Sequence, residues 1–391
     1  MKFFILLFLF LVHQHEAKVK LLLAVWRHGD RAPESPPFMT DPYNASFWPR
    51  GWNQLTNIGI KQSYSLGKFL KNRYNETVLP KFDRQKIVIR SSDADRAIET
   101  AMAVTAGLFK PESQDIWTDA SINVWQPIPV RTNTNPDPML RPSKLNCPNY
   151  ARLVKEERKQ LEAETMKQYR TQIDMLNKLT KQTFHFSNIK EAYNVILEHN
   201  NGFPLPPWAH EKVDNLNLLD VVREVRRLSR LQNFNSLEKA KYMGGSLINN
   251  WAELVKNASI KETNKAAILY SSHDGTLTSF LYGLQVSNDQ LVPYTACVLL
   301  ELHDDNTVQL FMRNTTTENP SEVHRLIVPG CTESCPVDTF LQSVEAVRIR
   351  SLNELYRVCG TQINGSNGTI EKIGYYIIGL CMAVAVFFLN V

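Results

Sequence analysis

From Val19 to Trp26 the chain is apolar apart from Lys20, the pattern of a strand buried on both faces. Helical spacing follows from Ile58 to Tyr74, with Ile60, Tyr64, Leu66, Gly67 and Leu70 on one side. Lys86 to Arg90 reads as a second strand, and Asp93 reads as the cap of a helix that runs to Leu108. The texture then changes. Val154 to Thr180 is a charged run without Gly or Pro and reads as one helix, and Leu218 to Leu231 reads as another. Few strand signals occur here. The first pattern returns with a strand at Ala266 to Ser272 and a helix starting in Thr276 to Gly283. Val298 to His303 and Val308 to Arg313 then flank Asp304-Asp305-Asn306, a hairpin signal. These alternations predict an α/β domain with a mainly parallel sheet and flanking helices, built from residues 18–130 and 246–360. A smaller helical cap, residues 131–245, is inserted between them.

The ends set the compartment. Lys2, the apolar run Phe3 to Val12 and the small residue Ala17 form a secretory signal, residues 1–17. At the other end, Ile373 to Val391 carries no charge and as a helix would extend ~28 Å, enough to cross a bilayer core. Behind a linker at 361–372, it reads either as a single transmembrane span or as a lipid-anchor signal that uses the small residues Asn364, Gly365 and Ser366. Either reading anchors the protein to a membrane with its bulk lumenal or extracellular. In that compartment cysteines pair, and Asn44, Asn75, Asn257, Asn314, Asn364 and Asn367 are glycosylation acceptors.

Composition narrows the class further. A 391-residue chain with 43% hydrophobic and 21% charged residues is globular, with enough length for a large domain and an insertion. The net charge of +5 is mild and its Lys and Arg form no basic block, which argues against nucleic acid as a partner.

The chemistry concentrates where predicted strands end. Arg27-His28-Gly29-Asp30-Arg31-Ala32-Pro33 directly follows the first strand, so two arginines and a histidine turned by glycine can face one anion. Ile89-Arg90-Ser91-Ser92 leads into Asp93-Ala94-Asp95-Arg96, and Tyr270-Ser271-Ser272 leads into His273-Asp274-Gly275-Thr276. Ligands of open parallel sheets bind outside the carboxyl ends of strands, where helix N-termini favour anions. Arg27, His28, Arg31, Arg96, His273 and Asp274 therefore form a candidate phosphate site with one nucleophile and one acid. His303-Asp304 sits in the hairpin signal and reads as turn chemistry. His185, His199, His210 and His324 have no Arg or carboxylate motif around them and read as surface or packing residues. No His/Cys/Asp cluster has metal-ligand spacing, so neither a metal nor another cofactor is expected.

On these residues the chain resembles the histidine acid phosphatases (branch 2 histidine phosphatases), most closely their animal members. Trp48-Pro49, Gly51 and Gln54-Leu55-Thr56 are similar to the family's segment after the catalytic loop. Trp125 to Val130 and Pro329-Gly330-Cys331 through Cys335-Pro336 match further stretches, and the likeness runs from Val19 to Cys359. The resemblance implies a phosphoglycerate mutase-like fold and hydrolysis of small-molecule phosphate monoesters through a phosphohistidine. It makes His28 the nucleophile and Asp274 the proton donor, with Arg27, Arg31, Arg96 and His273 binding phosphate. It also implies the disulfides Cys147–Cys359 and Cys331–Cys335, and leaves Cys297 free because no cysteine stands near Leu197 or Glu198. The chain ends within or just past the apolar segment, without the cytosolic sorting tail of the lysosomal branch. A phosphatase narrowed to phytate or lysophosphatidate shares the catalytic set, and a secreted protein that holds anions without turnover is the reading from another class. Whether the chain works alone or as a homodimer stays open.

Overall fold

The computed structural model describes residues 17–361, except 37, 113–114, 117–124, 134–135, 262, 317 and 320. Nearly all of the signal segment, the C-terminal apolar segment and the sequons at Asn364 and Asn367 lie outside the described residues. The chain opens with β1 (Val19–Arg27), α1 (Asn57–Tyr74), β2 (Ile87–Ser91), α2 (Asp95–Leu108) and β3 (Arg131–Thr132). A helical run follows: α3 (Pro148–Gln168), α4 (Arg170–Thr180), α5 (Lys190–Tyr193) and α6 (Val195–Asn200). A two-residue pair, β4 (Lys212–Val213) and β5 (Leu216–Asn217), precedes α7 (Leu218–Leu231) and α8 (Leu237–Ile260). The chain then returns through β6 (Ala267–Ser272), α9 (Asp274–Gly283), β7 (Cys297–His303), β8 (Thr307–Arg313) and β9 (His324–Leu326). It closes with β10 (Cys335–Pro336), α10 (Val337–Ser343) and α11 (Leu352–Cys359).

The main sheet has the order β10-β8-β7-β1-β6-β2-β3, with β9 on β8. From β1 through β6 and β2 to β3 all pairings are parallel, and the β7–β8 side is antiparallel. β1 lies in the middle, and its alternation explains why its run is apolar throughout. Leu21, Leu23 and Val25 join the core under α8 and α9, while Leu22, Ala24 and Trp26 join the core under α1 and α2. Successive side chains of a strand point to opposite faces, so a strand covered on both sides is apolar at both parities. The helices of residues 131–245 share a further core in which Ile173, Leu176, Phe186, Trp208, Val222 and Val225 are buried, and Phe38 from before α1 joins it.

Three expectations are corrected. The run from Val154 to Thr180 is not one helix: α3 begins earlier, with Pro148 at its first position, and gives way to α4 at Tyr169, whose backbone (φ −105, ψ 22) leaves the helical region. The break lets α4 turn Ile173 and Leu176 into the cap core, whereas α3 buries little beyond Val154 and Thr165. Second, α2 is capped at Ala94 with no side-chain hydrogen bond. Asp93 precedes the cap, and Asp95 supplies the negative charge that favours a helix N-terminus. Third, the boundary placed at residue 245 falls inside α8. Gly245 is a point of close packing rather than a chain break, since a Cβ there would lie 2.5 Å from the Val347 carbonyl oxygen.

His303 ends β7 and Asp304 opens the hairpin turn; His303 Nε2 meets Glu301 at 3.3 Å and Asp304 accepts from the Lys18 amide. His185, His199, His210 and His324 are exposed. Cys147 is bonded to Cys359 and Cys331 to Cys335, and Cys297 is a buried free thiol. Among the described residues no helix is long and apolar enough to cross a membrane.

Candidate active site

The adjacency of β2, β6 and β1 brings three strand ends side by side. Pairing continues past the strands: the His28 amide donates to Ser272 O and the Ser92 amide to Ser271 O, both at 3.0 Å. His28, Arg96 and the His273-Asp274 pair thus meet at one edge. They line a cavity of about 510 Å³ together with Arg27 and Arg31, within the range of roughly 300–1,000 Å³ usual for small-molecule sites. All six residues singled out in the sequence are brought together.

The loop carrying His28 is pressed against the start of α1. A Cβ on Gly29 would lie 2.4 Å from the Gly59 carbonyl oxygen, so no larger residue fits without displacing the loop. The Asp30 amide donates to Gln62, and its carbonyl accepts from the Thr56 amide. Its carboxylate accepts from Asn201 at 2.9 Å and from Thr56. Burial raises the Asp30 carboxyl to about 6 against the pull of these bonds. The motif's acid therefore ties the loop to α1 and to the cap.

The hydrogen bonds of His28 fix its tautomer. Arg96 Nε donates to His28 Nε2 at 3.1 Å, and His28 Nδ1 lies 2.8 Å from the Gly29 carbonyl. A guanidinium only donates and a carbonyl only accepts, so the proton sits on Nδ1 and Nε2 offers its lone pair. Burial, followed by Arg27, His273, Arg96 and Arg31, keeps the ring's pKa well below the usual histidine range. His273 is set in the opposite tautomer. Its Nδ1 faces Arg96 Nη2 at 3.5 Å and its Nε2 lies 2.8 Å from Ser92 Oγ. Burial and then Arg96 lower it to about 3.

The arginines are held by fixed partners. Arg27 donates to Val292 O at 2.6 Å and lies 3.8 Å over the Tyr294 ring. Arg31 donates to Ala32 O and meets Glu34 at 3.4 Å. Such anchoring orients cationic donors towards an anion before it arrives.

Asp274 begins α9, and its Oδ2 accepts from Arg230 Nε at 2.9 Å. Burial opposes ionisation of this carboxyl, but Arg230, Arg27 and Arg226 outweigh it and hold the pKa well below the usual range. Sequence reasoning missed Arg226 and Arg230. The available signal was their spacing of four, which puts both on one face of α7. Arg141, Lys144 and Lys190 also line the cavity, against the carboxylates of Glu34 and Asp274. Among the described residues no three His, Cys, Asp or Glu side chains converge as metal ligands would.

A family model described as the histidine phosphatase superfamily (branch 2) matches residues 18–321. The chain is 35% identical to the prostatic acid phosphatase of Homo sapiens over 88% of its own length and 90% of that protein. It is 30% identical to the lysosomal acid phosphatase of Xenopus laevis over 86% and 78%. Among solved structures, the phytase of Citrobacter braakii superposes with a TM-score of 0.65 at 14% identity, covering 86% of this chain and 98% of that one. That likeness concerns the fold.

Proposed function

The chain belongs to the histidine phosphatase superfamily (branch 2), and on that basis we propose that it is an acid phosphatase, hydrolysing phosphate monoesters to alcohol and orthophosphate through a phosphohistidine on His28. The observation that carries the reading is the Arg96 to His28 Nε2 hydrogen bond. It marks a neutral imidazole whose Nε2 lone pair accepts from Arg96 before substrate arrives, at a site lined by arginines.

In this reading Arg27, Arg31, Arg96 and His273 hold the three non-bridging oxygens and stabilise the charge that spreads over them during transfer. His28 Nε2 forms the new P–N bond as the P–O bond to the alcohol breaks, dividing one displacement into two. Asp274 gives its proton to the departing alkoxide and then, as carboxylate, takes one from the water that cleaves the P–N bond. Asp274 is held ionised by its arginines before substrate arrives. A phosphate dianion among those arginines reverses the local field and raises the carboxyl, so an acidic medium and bound substrate act in the same direction.

The proposal extends to location and organisation. The two disulfides fit an oxidising compartment, and Asn44, Asn75, Asn257 and Asn314 lie at least partly exposed, as glycan sites must. We assign the protein to the secretory pathway, with residues 1–17 as signal and 373–391 as a membrane span or lipid anchor. The core of residues 131–245, which takes only Phe38 from outside them among its buried members, supports their treatment as a cap inserted in the phosphatase domain.

The test is His28→Ala assayed on p-nitrophenyl phosphate, with a fall of about a thousandfold or more expected for loss of a nucleophile. Rapid quenching of wild type with labelled substrate should trap an acid-labile phosphoenzyme. Substantial turnover by the variant would overturn the covalent route.

A further inference from the structure

The acid of the Arg27 to Pro33 motif stands apart from its arginines. Asp30 is wholly buried, and although Arg27 and Arg31 flank it in sequence, it forms an ion pair with neither among the described residues. Arg27 is turned to Val292 O and the Tyr294 ring, and Arg31 to Ala32 O and Glu34. Uncharged donors hold the Asp30 carboxyl instead. The Asn201 amide, just after α6, donates at 2.9 Å, and the Thr56 hydroxyl, just before α1, donates at 3.3 Å. Both bonds end on Oδ2, while Oδ1 is buried with no hydrogen-bond partner among the described residues. Arg27 Nε is likewise buried without a partner. A carboxylate out of water demands a cation or donors on both oxygens, so these surroundings suit the uncharged acid.

We propose that Asp30 is a further residue of the anion site, acting through its charge: uncharged, it leaves Arg27 and Arg31 to the phosphate of the substrate, and ionised, it opposes that phosphate. Asn201 is its positioning partner. The inference rests on the phosphatase reading above, since it takes the anion in the cavity to be phosphate. Burial raises Asp30 to about 6, against the bonds from Asn201 and Thr56 and the fields of Arg27 and Arg31. Those two arginines and Tyr294 are the charged or titratable groups that face it, whereas Thr56 and Gln62 on the α1 side and Asn201 after α6 are uncharged. His28 and Asp274 are held well below their usual ranges and His273 is lowered to about 3. The charge of the site near pH 6 is therefore governed by Asp30. Linkage makes the effect reciprocal: a bound anion favours the protonated acid, and the protonated acid favours the anion by the same factor.

The experiment uses sulfate, which stays a dianion across the working range and so reports the protein's titration alone. Its binding to the full chain is followed by calorimetry and by inhibition of p-nitrophenyl phosphate hydrolysis, on both sides of the Asp30 transition. Wild type should lose about tenfold in sulfate affinity as pH rises through that transition, the scale of one added charge near the anion. Asp30→Asn has the shape of the uncharged acid. It should bind sulfate in alkali as tightly as wild type does in acid, with no step between. Asn201→Ala removes a bond that favours the carboxylate, so the wild-type step should move to higher pH. A purely structural role for either side chain would instead weaken binding alike at every pH. Asp41, on the segment that packs against α6, is also raised by burial, and Asp41→Asn is the control that should keep the step. Affinity that is flat in wild type, or a step that persists in Asp30→Asn or vanishes in Asp41→Asn, overturns the proposal. A step that does not move in Asn201→Ala overturns the part given to Asn201, and this variant carries the test if Asp30→Asn does not fold. Sulfate binding without any turnover of p-nitrophenyl phosphate would sink the phosphatase reading and leave the Asp30 titration standing.

Discussion

Asp41 and Glu198 bring two carboxyl groups together where the segment that follows Arg27 to Pro33 touches α6. Each has one buried oxygen, Asp41 Oδ2 and Glu198 Oε1, with no hydrogen-bond partner among the described residues. Burial and then Asp41 raise Glu198 to about 9, and burial raises Asp41 as well. Two adjacent carboxylates in a protected site cannot both ionise without repulsion. Protonation of Glu198 is therefore favoured where this segment meets α6.

Stability should follow from this pair. A folded-state pKa above the ordinary 4.5 of Glu198 makes its contribution fullest below that value and drains it as pH rises towards about 9. Melting temperature of Glu198→Gln relative to wild type should accordingly rise from acid to alkaline pH, measured by calorimetry across that window. A difference between the two proteins that does not change with pH would remove the pair from the account.

Asp274→Asn separates proton donation from phosphate binding. Alkyl phosphates expel a strongly basic alkoxide, whereas p-nitrophenyl phosphate expels a stable anion. The variant should lose roughly 10²–10⁴-fold in phosphoenzyme formation on an alkyl phosphate and far less on p-nitrophenyl phosphate, measured in single turnovers. Equal losses would mean that Asp274 positions His273 or phosphate and donates nothing.

Gly29→Ala tests the contact between the catalytic loop and α1. The added carbon meets the Gly59 carbonyl oxygen at 2.4 Å, so the loop must move, and about 1 Å of misplacement costs on the order of 10²-fold in rate. Activity should fall by that order in protein that still gives a cooperative unfolding transition. Wild-type activity in the alanine variant would show that the loop has slack.

Cys297 should resist alkylation until the protein unfolds. It is wholly buried, and burial pushes its thiol up to about 12 with Arg313 opposing, so little reactive thiolate exists at neutral pH. Iodoacetamide followed by peptide mapping should label it in denaturant and not before, with the other four cysteines of the described residues blocked throughout. Labelling in the native state would contradict the burial.

The legible part of the molecule is what periodicity and strand ends encode. β1 was readable because both its faces are covered, and α7 because its apolar positions recur at helical spacing. The six motif residues were readable because each abuts a predicted strand end. Arg226 and Arg230 were not, since the helical pattern does not say whether a cation opposite an apolar stripe meets water or a cavity rim. Only the meeting of α7 with the start of α9 decides that. The break at Tyr169 was hidden for a similar reason: no Gly or Pro marks it, and its cause is the direction in which Ile173 and Leu176 must face. The disulfides came from resemblance, and spacing alone would not have paired residues 212 positions apart.

The order of the strands has a consequence for how the protein matures. Ser92 and His273 hydrogen-bond across 181 positions of chain, and β1, which leads into His28, is followed by residues 131–245 before its parallel neighbour β6 is made. Pairings this distant in sequence form late and slowly, and since β6 and β7 both follow α8, a nascent chain has neither sheet partner of β1 until then. A half-made protein would expose an apolar strand edge, the species that aggregates or engages chaperones. Regain of phosphate hydrolysis during refolding would then report the closing event, lagging behind the helix signal by however long β6 takes to find its place.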